Sequence, residues 1–261
     1  MKIALVSLDQ KWEKKEANFQ RCKYFVERAA GCGADLAIFP EMTLTGFTFN
    51  LAVSAEDVNN SPTVERFAAL AEKHALAIVI GVALRTGDVV SNELVAFDRN
   101  GARQARYAKI HPFSFSGEDT LFLPGDRLAQ MKIDQFNLGF SICYDLRFPE
   151  LYTAMALNCD VLINIACWPQ RRVHHWRTLL QARAIENQAF VIGVNCTGRD
   201  GNELEYEASS MVVNANGEIV PPVLCEGELD IVEIHESDLA NFRAGFDTRQ
   251  DRKPDLYRSL I

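Results

Sequence analysis

Residues 138–150 read "LGFSICYDLRFPE", and the chain changes character in the middle of this segment. The first half is an apolar run typical of a buried strand, whereas the second half turns abruptly into charged and aromatic residues. Cys143 stands at the boundary between the two halves. Free cysteine commonly packs as a small hydrophobic side chain, so a buried thiol is the ordinary interpretation of this position. Whether Cys143 instead serves chemistry depends on what the rest of the chain places beside it.

The composition is that of a globular protein. The chain has 261 residues, of which 48% are apolar and 24% charged, enough for one large α/β domain or two small ones with a sizeable core. Its formal net charge of -8 argues against nucleic acid or an anionic membrane as the main partner, since both would require a basic surface. A local basic patch stays compatible with this charge.

The amino terminus and the cysteines indicate the compartment. The opening "MKIALVSLDQKWEKKE" has only about six apolar residues before it turns polar, which is too short for a signal peptide. No apolar run approaches the roughly 18 residues that a membrane span requires. The seven cysteines include no CxxC pair, so neither a disulfide framework nor a zinc site is indicated. We therefore expect a soluble, cytoplasmic protein.

Strand and helix patterns alternate along the whole chain. Four main helices are predicted. The first covers 14–30, the second begins at Pro62 after the cap Ser61, the third begins near Pro149, and the fourth covers 173–187. The predicted strands include 2–8, "LAIVIGVAL", two strands around Asn100-Gly101, "CDVLINIAC" and "AFVIGVNC". This mixture predicts one α/β domain over residues 1–261. A four-layer α-β-β-α sandwich accommodates so many strands better than one open sheet, although periodicity alone does not choose between them.

Three chemically capable residues follow predicted strands. Glu41 comes after "LAIFP", Lys109 after "RYA" and Cys143 after "LGFSI". In α/β folds the ligand usually binds outside the carboxyl ends of the strands, so these three side chains are candidates for one site. Each has an ordinary alternative when taken alone: a loop or cap carboxylate, a solvated lysine and a packed thiol.

The segments that carry these residues resemble a known family. "FPEMTLTGF", "YAKIHPF…GEDTLFLPGD" and "GFSICYDLRFPELY" are similar, in order and spacing, to the three signature segments of the nitrilase superfamily of carbon–nitrogen hydrolases. The similarity continues through "WPQRRVHHWRTLLQARAIENQAFVIGVN" and "SSMVVNANGEIV", so it spans nearly the whole chain. The resemblance implies an α-β-β-α sandwich, a catalytic set of Glu41, Lys109 and Cys143, and a supporting Glu118. It also implies dimers or larger assemblies, and we expect neither a cofactor nor a metal ion.

The chemistry of these residue types agrees with that implication. A thiol needs a base or a cation beside it to act as a nucleophile, and Glu41 could take its proton. Lys109 would stabilise the oxyanion together with the backbone N–H of Tyr144. We expect Arg147 and Glu150 to brace the turn after Cys143 by ion pairing and not to touch the substrate.

Three other mechanisms fit less well. A papain-like pair of Cys143 with His111, His174 or His175 would leave the acid and the lysine at the strand ends unexplained. A silent binding protein on the same scaffold would be expected to lack one of the three residues, and a metal hydrolase would need a ligand cluster such as HExxH. One departure from the family pattern is Ala208 in "EASSMVV", where glycine is common before the matching Ser210.

The sequence defines the substrate less well than it defines the type of bond that is hydrolysed. Amide hydrolysis is favoured over nitrile hydrolysis, and the region 168–195 looks most similar to bacterial ω-amidases, which cleave the terminal amide of 2-oxoglutaramate and similar dicarboxylic acid monoamides. Trp168 could form an aromatic wall, and Arg171 or Arg172 could bind the distal carboxylate. A surface loop with solvated arginines is the ordinary alternative. Deaminated glutathione amide and N-carbamoyl amino acids stay open as substrates.

Overall fold

The computed structural model describes residues 1–260, which form two stacked β-sheets with helices on their outer faces. The strands are β1 (Lys2–Val6), β2 (Leu36–Ile38), β3 (Ala55–Asp57), β4 (Ala77–Thr86), β5 (Val89–Phe97), β6 (Arg103–Ala108), β7 (Gln130–Ile133), β8 (Phe136–Ile142), β9 (Val161–Ala166), β10 (Phe190–Asn195), β11 (Gly198–Arg199), β12 (Glu205–Tyr206), β13 (Met211–Val213), β14 (Ile219–Val220), β15 (Leu224–Glu226) and β16 (Leu229–Glu233). The helices are α1 (Lys15–Gly31), α2 (Leu51–Ser54), α3 (Pro62–His74), α4 (Pro149–Met155), α5 (Val173–Asn187), α6 (Glu236–Gly245) and α7 (Pro254–Leu260).

The first sheet takes strands from both ends of the chain, and the second takes strands from its middle. The first sheet has the order β15-β16-β1-β2-β4-β5-β6, with β3 beside β4. The second has the order β14-β13-β10-β9-β8-β7. Strands β1, β2 and β4 run parallel, as do β8, β9 and β10, so each sheet has a parallel centre whose carboxyl ends share one edge.

The core consists of three apolar layers. Side chains alternate along β1, so that Ile3 and Leu5 face the second sheet while Ala4 and Val6 face helices α1 and α3. Strand β9 does the same, with Ile163 between the sheets and Leu162 against the helices α4 and α5. An apolar layer between the sheets and another outside each of them define an α-β-β-α sandwich. The four-layer prediction is confirmed.

Local signals explain the main helices. The Ser61 hydroxyl caps α3 by accepting the Val64 N–H at 3.2 Å, and Pro62 begins the helix, as the sequence predicts. Helix α5 has the predicted bounds. It packs closely on β10 because Gly193 has no side chain: a Cβ there would lie 2.4 Å from Leu180.

The elements that the sequence pattern missed are short. They include α2, β3, β15, α7 and the β11–β12 ribbon, and two single turns of 3₁₀ helix at Ser114–Ser116 and Glu118–Thr120. Segments of two to seven residues carry too few positions for a period to be recognised. Among residues 1–260, none of the helices combines the length and the apolar character that crossing a membrane requires.

Candidate active site

The structure brings the predicted site residues together at the edge where the parallel strands of both sheets end. Glu41 follows β2, Lys109 follows β6 and Cys143 follows β8, and all three line one pocket. Glu118 comes from the 3₁₀ turn after β6 and contacts Lys109 from the side. The two sheets therefore contribute opposite sides of one site.

Lys109 lies buried between two carboxylates. Its Nζ is 3.0 Å from Glu41 Oε1 and 2.8 Å from Glu118 Oε2, and all three side chains are 1% exposed or less. Burial alone would lower the pKa of Lys109, but the negative charges of Glu41 and Glu118 outweigh it and hold the pKa well above its ordinary value. Lys109 is therefore a fixed positive charge at the site.

The rest of the Glu41 carboxylate is held by the opposite sheet. Its Oε2 accepts the Cys167 backbone N–H at 2.9 Å, just beyond the end of β9. The amide of Gln10 donates to the Glu41 carbonyl oxygen at 2.9 Å, which fixes the backbone of the turn. Gly81 on β4 gives this turn room, because a Cβ at that position would lie 2.4 Å from the Met42 nitrogen.

Cys143 sits on a sharp turn. Its φ of 46° lies in the left-handed region that non-glycine residues rarely adopt, and it begins a 3₁₀ helix, Cys143–Arg147, directly after β8. Because Tyr144 is the second residue of that helix, its N–H belongs to the N-terminal donors that have no partner within the helix. Burial, and then the negative charge of Glu41, raise the pKa of the Cys143 thiol well above its ordinary value. Burial thus favours the neutral thiol over the thiolate, and the Glu41 side chain lines the same pocket.

Asp145 braces this turn. Its buried carboxylate accepts the Ile142 N–H at 3.0 Å, the Tyr107 hydroxyl at 2.8 Å and the His111 N–H at 2.9 Å. One side chain thus ties the strand of Cys143 to the segment that carries Lys109.

The interpretation of Arg147 and Glu150 as a bracing ion pair was wrong. Glu150 is exposed at the start of α4, and Arg147 makes no ion pair with it. Arg147 instead points into the pocket, where its guanidinium lies 4.8 Å from the Trp168 ring centroid and donates to His175 Nδ1 at 3.3 Å. Cys143 and Arg147 both line the pocket, and Asp145 supplies the bracing.

The histidines are placed away from the sulfur. His111 Nδ1 is 2.8 Å from Asp145, and its ring stacks on Phe148 with centroids 3.7 Å apart. His174 and His175 are exposed on α5. No histidine of residues 1–260 lines the pocket, so the arrangement disfavours a papain-like pair.

The pocket encloses about 140 Å³ and has two chemically different walls. Its aromatic lining comes from Phe47, Phe113, Phe115, Tyr144, Trp168 and Tyr206. Its outer lining includes the predicted Arg171 and Arg172, together with Arg147. We call Arg147, Arg171 and Arg172 the arginine rim.

The arginine rim is an uncompensated positive patch. None of its three side chains forms a salt bridge within the part of the chain that the structure describes. Burial, then the nearby charges of Arg171 and Arg147, lower the pKa of Arg172. Trp168 is held in place beside the rim by its N–H donating to Asn195 at 2.7 Å and its indole N–H donating to the Arg172 carbonyl at 2.8 Å.

The comparison with protein families covers the segments that carry the buried acid–lysine–thiol cluster. The carbon-nitrogen hydrolase family model matches residues 2–244, which include every residue of the site. The chain belongs to the carbon–nitrogen hydrolase family. Its members hydrolyse carbon–nitrogen bonds, and the chain is an enzyme of that class.

Similar carbon–nitrogen hydrolases agree with this assignment. A 2-oxoglutaramate amidase of Paenarthrobacter nicotinovorans is 33% identical over 98% of this chain and 91% of its own length. The omega-amidase YafV of Escherichia coli K12 is 31% identical over 96% of both chains. The crystal structure of a CN-hydrolase superfamily protein from Xanthomonas campestris, with an arsenic adduct in its active site, has a TM-score of 0.89 and 32% identity over 97% of both chains.

The sequence pattern did not identify several residues of this hydrolase site. Phe47 lies in a loop and Tyr206 lies on the short β12 strand, and neither segment has a recognisable periodic pattern. Asn92 is a polar residue within the apolar strand β5, and its amide contacts both glutamates. The hairpin places it opposite Lys109, and this register could have identified it from the sequence.

Ser210 does not line the pocket. Its hydroxyl forms a hydrogen bond with Ser7 at 2.7 Å and so connects the two sheets. Residues 1–260 contain no cluster of three or more His, Cys, Asp or Glu arranged to hold a metal ion.

Proposed function

We propose that the protein is an ω-amidase that hydrolyses the terminal amide of a small dicarboxylic acid monoamide, such as 2-oxoglutaramate, and releases ammonia. The observation that carries this proposal is the arginine rim, which faces the sulfur of Cys143 across a small pocket and has no counter-charge of its own. The names of the similar relatives, 2-oxoglutaramate amidase and omega-amidase, support the same substrate class.

In the first half of the reaction, Cys143 attacks the amide. Glu41 accepts the thiol proton as the Cys143 sulfur bonds to the carbonyl carbon. The Lys109 ammonium and the Tyr144 N–H stabilise the oxyanion, and Glu118 holds Lys109 from the other side. The carbon–nitrogen bond then breaks, the proton moves from Glu41 to the leaving nitrogen, and ammonia departs from a Cys143 thioester.

In the second half, water releases the acid. The Glu41 carboxylate takes a proton from water as the oxygen attacks the thioester carbon, and Lys109 again stabilises the oxyanion. The carbon–sulfur bond breaks, the proton returns to the Cys143 sulfur, and the dicarboxylic acid leaves. The cycle requires only groups that the pocket already contains.

Substrate recognition is assigned to the outer part of the pocket. A guanidinium binds a carboxylate through two parallel charge-assisted hydrogen bonds, which are strong where water is partly excluded. Arg147 and Arg172 are half-buried, whereas Arg171 is exposed. Trp168 and the other aromatic rings would pack against the carbon chain between the amide and the carboxylate.

N-carbamoyl amino acids are the second candidate, because they too carry a carboxylate that the arginine rim could bind. Deaminated glutathione amide also carries carboxylates, and a pocket of about 140 Å³ favours smaller molecules over it.

The proposal is tested by ammonia release from matched amides. We expect the highest kcat/KM for 2-oxoglutaramate, a much lower value for a neutral amide of the same length, and no turnover of the corresponding nitrile. Preference for an N-carbamoyl amino acid would select the second candidate. Equal turnover of the acidic and the neutral amide would exclude a carboxylate-binding role for the rim.

We further propose that residues 1–261 act as one catalytic domain in a cytoplasmic homodimer or larger homo-oligomer. The family model covers 2–244, and the resemblance to the superfamily implies face-to-face assemblies. Sedimentation equilibrium of the purified protein tests the assembly, and a monomer at micromolar concentration would refute it.

A further inference from the structure

Asn92 has a buried amide that touches both glutamates of the site. It lies on β5, is 1% exposed, and its Nδ2 donates to Glu41 Oε1 at 2.7 Å and to Glu118 Oε1 at 2.9 Å. A side-chain amide nitrogen carries two hydrogens, so each carboxylate receives one. The backbone repeats the connection, because the Lys109 N–H donates to the Asn92 carbonyl oxygen at 2.9 Å.

The orientation of this amide follows from its neighbours. If it were turned over, Oδ1 would face two carboxylate oxygens, acceptor against acceptor. In the observed orientation, Asn92 Oδ1 is buried and has no hydrogen-bond partner within residues 1–260. Buried acceptors are rarely left unmet. The fold thus leaves one acceptor unsatisfied and keeps both donors on the carboxylates.

The charges of the cluster explain the role of the two N–H donors of Asn92. Glu41 and Glu118 carry two negative charges, and Lys109 supplies one positive charge between them. We propose that Asn92 is a positioning residue of the reaction, whose amide donates to the Glu41 carboxylate and holds it in the alignment that the base requires; this inference rests on the role of Glu41 in the proposed function. A neutral donor serves here because an aspartate could not donate and a lysine would compete with Lys109 for both carboxylates.

The pH dependence of the reaction reports this role. The titratable groups packed around Glu41 are Lys109, Glu118, Cys143 and Cys167. A carboxylate that loses a hydrogen-bond donor is more easily protonated. In Asn92→Leu we therefore expect the acid limb of the kcat/KM profile to move to higher pH by about one unit, with kcat/KM at pH 7 lowered about 10- to 100-fold. KM should change little, because Asn92 does not line the pocket.

Asn164 offers a matched control. It is fully buried on β9, its Nδ2 also bridges two acceptors, Ser141 Oγ at 3.0 Å and Tyr152 Oη at 3.1 Å, and its Oδ1 is likewise without a partner in the described residues. Its acceptors are neutral hydroxyls outside the acid–lysine cluster. Asn164→Leu should lower the Tm comparably and leave the acid limb where it is in the wild type.

Asn92→Asp keeps the shape of the side chain and is the second variant. It replaces a donor by a third negative charge, so the acid limb should move further than in Asn92→Leu. Thermal unfolding establishes that each variant is folded before its profile is measured. If neither Asn92 variant folds, the amide is required for the fold and a separate positioning role is refuted.

The pH profile of Cys143 alkylation provides a readout without any substrate. Mass spectrometry quantifies the alkylation of the Cys143 peptide by iodoacetamide at each pH. The acid limb of this alkylation profile should shift in the Asn92 variants as the acid limb of the kcat/KM profile does. Unshifted profiles in both variants, or equal shifts in Asn164→Leu, would overturn the inference. If wild-type protein releases no ammonia from 2-oxoglutaramate but the alkylation limb still shifts, the proposed substrate fails and the role of Asn92 stands.

Discussion

The buried cluster of Glu41, Lys109 and Glu118 and the arginine rim lie in the same site but are built in opposite ways. In the cluster, all three side chains are 1% exposed or less, and each forms at least one ion pair. On the rim, the three guanidinium groups are half-buried or exposed and form no ion pair within residues 1–260. The ion pairs of the first region are formed without substrate, whereas the second region has none.

In the proposed function, this difference separates the chemical steps from substrate recognition. Groups that ion pairs hold fixed in the resting protein are preorganised for the transition state and mainly affect kcat. Groups that lack a counter-charge gain one only when an anionic substrate binds, so they mainly affect the binding of acidic substrates. Substitutions in the two regions should therefore give different kinetic signatures.

Replacing Cys143 should have the largest effect. We expect Cys143→Ala to lower kcat by at least about 10,000-fold and to leave the fold intact, because Cys167, the other thiol that lines the pocket, is held by hydrogen bonds to Gln10 Oε1 and the Glu41 carbonyl oxygen, both at 3.4 Å. Ammonia release and circular dichroism measure the two outcomes.

Alkylation needs a control because Cys225 is exposed. Labelling a Cys225→Ser protein and following activity against the modified peptides shows which thiol matters. If activity is lost as a cysteine other than Cys143 is modified, the assignment of Cys143 as the nucleophile is refuted, and the comparison of the two regions fails with it.

Replacing Lys109 should have the next largest effect. Lys109→Met keeps the length of the side chain but removes the oxyanion donor, and we expect kcat to fall about 100- to 1,000-fold. It also leaves two buried carboxylates without their cation, which should destabilise the protein by about 3 to 5 kcal/mol. EDTA should leave wild-type activity unchanged.

The pH dependence of stability gives an independent check on Lys109. Folding raises its pKa, so its contribution to stability is fully present below the unfolded value of about 10.4 and is lost as pH rises through the folded value. The difference in Tm between wild type and Lys109→Met should therefore stay constant from pH 7 to 9. A difference that disappears in that range would contradict a buried, charged lysine.

The two regions also differ in how far the sequence predicts them. Glu41, Lys109 and Cys143 each follow an apolar strand, so strand ends alone suggest one site. Glu118 lies in an irregular loop, and only the family resemblance pointed to it. Arg147 was misassigned because its place in the pocket depends on Trp168, which lies on a distant segment of the chain.

Aromatic and apolar parts of the site were the least predictable. Phe47 lies in a turn after β2, and Tyr206 lies on a two-residue strand that pairs with another of the same length. Such segments have no period, and their position depends on contacts far away in the sequence. Sequence patterns therefore predicted the layers of the fold and the reacting groups better than the walls of the pocket.

Replacing the arginine rim should have a moderate effect confined to acidic substrates. Changing Arg147 or Arg172 to alanine should lower kcat/KM for 2-oxoglutaramate by a factor equivalent to about 2 kcal/mol, through the loss of charge-assisted hydrogen bonds. A neutral amide of the same length should be affected by less than about twofold.

Arg177 is the matched control for the rim. It lies on α5 near the pocket but is exposed and paired with Glu207, and it does not line the cavity. Arg177→Ala should leave both substrates unchanged. An equal loss for acidic and neutral amides in the rim variants would show that the rim supports the pocket structurally and does not bind a carboxylate.

Salt should have the smallest effect and should distinguish the two regions without any substitution. Exposed charges are screened over about 10 Å at 0.1 M salt and over about 3 Å at 1 M, whereas buried pairs are screened much less. Raising the salt concentration should therefore increase KM for an acidic amide a few-fold, because the rim is partly exposed, and leave kcat unchanged, because the Lys109 cluster is buried. The KM of the wild type for the neutral amide should not depend on salt. The KM for the acidic amide should also be independent of salt in a triple variant with Arg147→Ala, Arg171→Ala and Arg172→Ala. A salt-dependent kcat would mean that solvent reaches the cluster during turnover, so that the site opens between the two chemical steps.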